Sequence, residues 1–94
     1  MRFIICLECE DIITLPSQID SVKKCSCQKT KIVKIAENKF YYTNDNAMPA
    51  GFVTEELVNA IKNRKDKGTS SHFSAFISPK QTPMFNKVND NLIP

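Results

Sequence analysis

Hydrophobic positions in this chain come in short bursts separated by polar turns. Ile12-Ile13-Thr14-Leu15, Lys31-Ile32-Val33-Lys34-Ile35 and Lys39-Phe40-Tyr41-Tyr42-Thr43 are rich in β-branched and aromatic side chains, the composition of strands. Phe73, Ala75 and Ile77 alternate with Ser74, Phe76 and Ser78, which is again strand periodicity, and Pro79 ends it. The period changes once. Thr54 stands where a helix would be capped, Glu55 and Glu56 occupy its first turn, and Leu57, Val58 and Ile61 form an apolar stripe. Lys62, Arg64, Lys65 and Lys67 load the far end before Gly68, so the expected helix covers about 54–67. Asn44-Asp45-Asn46 reads as a turn, and Met48-Pro49-Ala50-Gly51-Phe52 as an extended, rigid connection. Residues 86–94, polar and asparagine-rich, are expected to be loosely held.

A chain of 94 residues makes one domain or a small domain with an appended module, and at that size extra staples help. The cysteines supply one. All four stand as Cys6-x₂-Cys9 and Cys25-x-Cys27, with fifteen residues between the pairs. Two tight turns, each offering two sulfurs, suit a tetrahedral Zn²⁺, and the predicted strands at 12–15 and 31–35 border those turns. With every position filled by sulfur, such a site is structural, not catalytic. Zinc turns favour glycine just after the second cysteine, where φ is apt to be positive; here Glu10 and Gln28 stand instead. Iron in an all-sulfur site and a pair of disulfides stay open beside zinc. A redox-active Cys-x-x-Cys opens a helix, whereas acids and a predicted strand follow Cys9, which speaks against redox catalysis.

The expected fold is therefore α+β: a zinc-ribbon-like hairpin module over 1–38, then a small antiparallel sheet with one packed helix over 39–85, then the tail. The apolar run Phe3–Leu7 is too short for a secretory signal, and no stretch approaches the length of a membrane span. A cytoplasmic setting is expected, where disulfides are rare.

Charge is uneven. Residues 1–20 carry one Arg against four acids, while residues 21–39 carry six lysines against Glu37 alone. The formal net charge of +3 drops by two, to about +1, once four thiolates hold one Zn²⁺, so global charge argues for no particular partner. The local cluster of Lys23, Lys24, Lys29, Lys31 and Lys34, with Phe40, Tyr41 and Tyr42 behind it, is the pattern single-stranded nucleic acid would use. A solvated strand face with core aromatics explains the same residues.

The segments "CLEC", "CSC", "AMPAGF", "ELVNAIKNR", "HFSAFISPK" and "TPMF" follow in an order that resembles a group of uncharacterised small proteins of phages and low-GC bacteria. Those proteins join an N-terminal zinc ribbon to a module with a Pro-x-Gly segment, a short helix and a Phe-x-Ala-Phe strand. The likeness runs over most of residues 3–85. It implies the architecture and brings no activity with it.

The leading functional reading is a non-enzymatic, zinc-stabilised binding protein, a phage-type accessory factor that binds or inhibits a host protein. Arg64 and Phe76 are its expected contact surface, and a homodimer is a second use of the same surface. Single-stranded nucleic-acid binding through the Lys23–Lys39 region is one alternative. Capture of a small phosphate-bearing ligand near Met48–Phe52 and the helix start is another. His72 has no evident nucleophile and orienting acid, and helix capping accounts for Glu55 and Glu56, so an enzyme is not expected.

Overall fold

The computed structural model describes residues 1–63 and 72–94. Among the described residues, eight strands form two four-stranded sheets, and one α-helix stands between two strands of one of them, an α+β arrangement. The first sheet runs β2 (Ile12–Thr14), β1 (Arg2–Cys6), β6 (Ala47–Phe52), β7 (Ala75–Ile77), and all its pairs are antiparallel. The second runs β3 (Val22–Lys24), β4 (Lys31–Ala36), β5 (Lys39–Tyr42), β8 (Phe85–Lys87), and its last pair is parallel. Both sheets draw strands from either side of residue 38, so pairing does not follow the expected division between an N-terminal ribbon and a later module.

Alternation along the paired strands decides which residues meet. Ile4 and Ile13 from the first sheet, and Ile32, Phe40, Tyr42 and Phe85 from the second, form one buried cluster, closed at one end by Cys6, Cys25 and Ala47. The Tyr42 hydroxyl lies in this core and donates to the Lys80 carbonyl at 2.7 Å, while burial pushes its pKa up to about 12. The opposite face of the first sheet carries Phe3 and Ile5 from β1, with Met48, Ala50 and Phe52 from β6 beside them. Ile12 on one edge and Ala75 and Ile77 on the other continue it, and Thr14 is the one polar residue of the set.

Three expectations change. The segment Met48–Phe52 is not a connector but part of a six-residue strand at the centre of a sheet. Pro49 keeps its carbonyl bond to the neighbouring segment, accepting from Ser78 at 2.9 Å. The N–H it lacks would point the same way, toward the place where β7 has ended. Residues 86–94 are held, not loose: Val88 donates to the Tyr42 carbonyl at 2.8 Å, Ile93 is 1% exposed, and the Ile93 carbonyl accepts from Lys31 Nζ at 3.1 Å. The helix, α1, is described over Thr54–Asn63, and residues 64–67 of the expected span lie outside the described residues. Thr54 Oγ1 accepts from the Met1 amino group at 3.3 Å, and no helical residue is fully buried.

Among the described residues, no helix is long and apolar enough to cross a membrane.

A candidate metal centre at the seam of the two sheets

Each cysteine pair sits on the loop of a different hairpin. Cys6 ends β1 and Cys9 lies on the loop to β2; Cys25 and Cys27 lie on the loop from β3 to β4. One hairpin belongs to each sheet, so the cluster forms where the sheets meet. The two loops are built alike despite their different cysteine spacing. Cys6 N donates to Asp11 O at 2.9 Å and Cys25 N to Thr30 O at 3.0 Å, so each loop is closed from its first residue to its sixth. In each, the residue after the second cysteine turns left-handed, Glu10 at φ 58° and Gln28 at φ 64°. Those are the two positions where the sequence lacks the glycine that zinc turns favour, and both non-glycine residues carry the strained conformation.

The four sulfur atoms lie within 4.8 Å of one another. Cys25 Sγ stands 3.3 Å from Cys27 Sγ, and Cys6 Sγ 3.7 Å from Cys27 Sγ. Sulfurs bound at about 2.3 Å to one tetrahedral ion would be about 3.8 Å apart, so the cluster is the right size for a single Zn²⁺. The donors around it favour thiolate. Thr30 N donates to Cys25 Sγ at 3.3 Å, and Asn44 Nδ2 approaches Cys6 Sγ at 4.0 Å. Burial opposes ionisation of Cys25, but the Thr30 amide and the thiols of Cys27, Cys6 and Cys9 outweigh it and bring the group down to about 6. Burial also opposes ionisation of Cys6, and the Thr30 hydroxyl with the Cys9 and Glu8 amides holds that thiol below its ordinary value. The Lys29 amide favours a Cys27 thiolate, yet the neighbouring thiols, Cys25 foremost, push that group up to about 12. A divalent cation removes this conflict by taking all four as thiolates.

Side chains beyond the sulfurs lock the loops together. Asp11 accepts from both the amide and the hydroxyl of Ser26, at 3.0 and 3.1 Å, tying the first loop to the second. Asn44, in the turn between β5 and β6, donates to Glu8 Oε2 at 2.8 Å and to Thr30 Oγ1 at 3.0 Å. Its amide, with Lys29 as a weaker contributor, holds the Glu8 carboxyl below the usual carboxylate range. Asn44 is the turn residue that its place in Asn44-Asp45-Asn46 predicts, with a φ of 82°, and its reach to the cysteine cluster is an addition the sequence does not signal. An Asn after a strand carries no local mark of a second role; only the fold brings it beside Cys6. Asn44→Gly keeps the positive φ and deletes the amide, so the expected result is roughly ten- to a hundred-fold weaker zinc binding in competition with a chromophoric chelator. An affinity within two-fold of the parent chain would leave Asn44 as a turn residue only.

The lysines singled out above do not share a surface. Register puts Lys23 and Lys34 on the core-facing side of their sheet and Lys24 and Lys31 on the other. Lys23 Nζ donates to Thr14 Oγ1 at 2.7 Å, Lys29 pairs with Glu8 at 3.3 Å, and Lys34, only 11% exposed in its side chain, reaches Ser17 O at 3.2 Å and Glu37 at 3.4 Å. Of the aromatics behind them, Phe40 and Tyr42 are buried in the core, and Tyr41 alone faces outward. Phe76 also points inward, with its ring against Gly51 and the Arg2 guanidinium 5.1 Å from its centroid. Arg64 lies outside the described residues. His72 is exposed and lines a shallow cleft of about 330 Å³ with Glu56, Asn59 and Phe73.

No family model, curated protein or solved structure matches the chain.

Proposed function

We propose that this chain is a non-enzymatic, zinc-stabilised protein-binding module in which the metal is structural. The carrying observation is the closed set of four sulfurs at the seam of two sheets. Four protein ligands leave a tetrahedral ion no position for water or substrate, so its work is to fasten one hairpin loop to another. The cytoplasmic setting expected from the sequence suits this reading, since a reducing compartment keeps thiolates free for metal.

The finer form, an accessory protein of phage type acting on a host protein, rests on the order of segments along the chain. Its contact surface is better placed on the helix than at Phe76. Val58 and Ile61 are 37% and 52% exposed, flanked by Glu55 and Glu56 before them and Lys62 after them. A short amphipathic helix of that kind suits an apolar groove on the partner. The internal contacts of Lys23, Lys29, Lys31 and Lys34 weigh against the nucleic-acid alternative. The place of Met48–Phe52 inside a sheet weighs against the phosphate-ligand one. The test is affinity capture with the tagged chain, alongside zinc analysis of the same preparation. One zinc per chain is expected, together with a captured protein that Val58→Asp with Ile61→Asp releases while zinc is retained. A folded chain without zinc, or capture unaltered by the double substitution, counts against the reading.

A further inference from the structure

A solvent-facing antiparallel sheet ordinarily alternates apolar residues inward with polar residues outward. The β2-β1-β6-β7 sheet breaks that rule, because Phe3, Ile5, Ile12, Met48, Phe52 and Ile77 share its outer face. Ile77 is 73% and Ile12 54% exposed, and Phe73, edge-on to Phe52 at 5.3 Å, extends the patch at 42%. Among the described residues of its strands no charged side chain projects from the face, and the one cation that reaches it is Lys23, whose ammonium bonds Thr14 at the β2 edge. From this we infer that the outer face of the first sheet is a dimer interface, covered by the same face of a second copy. The inference rests on the binding-module reading and names the partner for this apolar face.

The chain has little of its own to put there. Residues 64–71 read Arg-Lys-Asp-Lys-Gly-Thr-Ser-Ser and carry no large apolar side chain. The apolar stripe of α1 is exposed, and Ile93 is buried apart from the core that the two sheets share. A face with a single cation, Lys23, at its edge offers little to nucleic acid and no complement to a highly charged protein. Its relief, in contrast, matches itself. Ala50 lies between Phe3 and Ile77, and Ala75 lies beside Phe52, so a shallow trough runs next to aromatic and isoleucine ridges. A two-fold axis sets the ridges of one copy into the trough of the other, which is what an isologous interface requires. About ten side chains, with Ile77, Ile12 and Phe73 at 73%, 54% and 42% exposure, offer an area on the order of 600 Å² per copy, the least that a standard interface takes from each partner. Two copies then bury about 1,200 Å², the lower end of a standard interface.

Sedimentation equilibrium on the zinc-loaded chain, from low to high micromolar, tests this. The expected mass is twice 10.7 kDa, falling to a single chain for Ile77→Lys and for Ile12→Lys. Both positions are exposed, so zinc content and far-UV circular dichroism should not change; if either variant loses them, the wild-type mass decides alone. A wild-type chain that stays monomeric with one zinc bound overturns the dimer and leaves the module reading standing. A folded chain without zinc overturns the module reading whatever the mass. A dimer that survives both substitutions, or a monomer that binds lipid vesicles or another protein through this face, also overturns the inference.

Discussion

Removing the metal from the reduced chain is expected to abolish its cooperative thermal transition. Structural zinc in small all-ligand sites carries an apparent about 10–16 kcal/mol, as much as the about 5–15 kcal/mol that holds a whole domain together. The position of the cluster makes the loss general. Cys6 and Cys9 belong to a hairpin of one sheet and Cys25 and Cys27 to a hairpin of the other, so four unscreened sulfurs at the seam disturb both. Cys6 and Cys25 are themselves part of the buried core. Chelation under reducing conditions should therefore flatten the melting curve, and added Zn²⁺ should restore it. Cys25→Ser should behave as the stripped chain does at any practical zinc concentration. The pH dependence has a fixed sign. Metal binding needs deprotonated sulfurs, so acid competes with it. Cys25, held down to about 6, binds its proton only below that pH, so zinc release should steepen as pH falls through about 6. A chelated chain that melts at the temperature of the loaded one would remove the structural role.

What the sequence disclosed about this site was local, and what it hid was not. Cysteine spacing marks ligands because two sulfurs on one tight turn must point the same way, and the left-handed strain at Glu10 and Gln28 follows from the same turn. Strands β4 and β5 were legible for the same kind of reason, since β-branched and aromatic residues crowd into short runs. β6 was not. Its Pro-x-Gly punctuation ordinarily breaks strands, and it is tolerated here only because β7 stops beside Pro49 and Phe76 packs on Gly51. Both conditions are set by a strand more than twenty residues away, which no window along the chain contains. The short edge strand β8 and the burial of Ile93 likewise depend on partners distant in sequence. Periodicity marks the helix, but not the bond from the Met1 amino group to Thr54 at its start, a contact no local rule foresees.

Gly51→Ala is expected to destabilise the chain by about 3 kcal/mol, the upper end of the overpacking range. The glycine is needed for room, not for an unusual backbone angle. A Cβ at this position would collide with the Met1 carbonyl oxygen, and would lie 2.8 Å from Phe76 Cζ and 3.2 Å from Arg2 Cα. Two of those three are backbone atoms of the neighbouring chain segment, held by the sheet, and a rotamer change cannot move them. The Met1 carbonyl also accepts from Phe52 N at 2.9 Å, so backing it away breaks the ladder at the next residue. The third neighbour, Phe76, is clamped between Gly51 and the Arg2 guanidinium, which limits its retreat. At about 4–8 °C per kcal/mol for a domain of this size, the melting temperature should fall by more than 10 °C. Denaturant titration separates the two sources of strain. Phe76→Ala in the Gly51→Ala background relieves the ring contact alone, so the double variant should recover only a minor part of the loss. Near-complete recovery would mean that the ring, not the backbone of β1, dictates glycine here. A Gly51→Ala chain as stable as its parent would mean that β1 and β6 stand farther apart than their register and contacts describe.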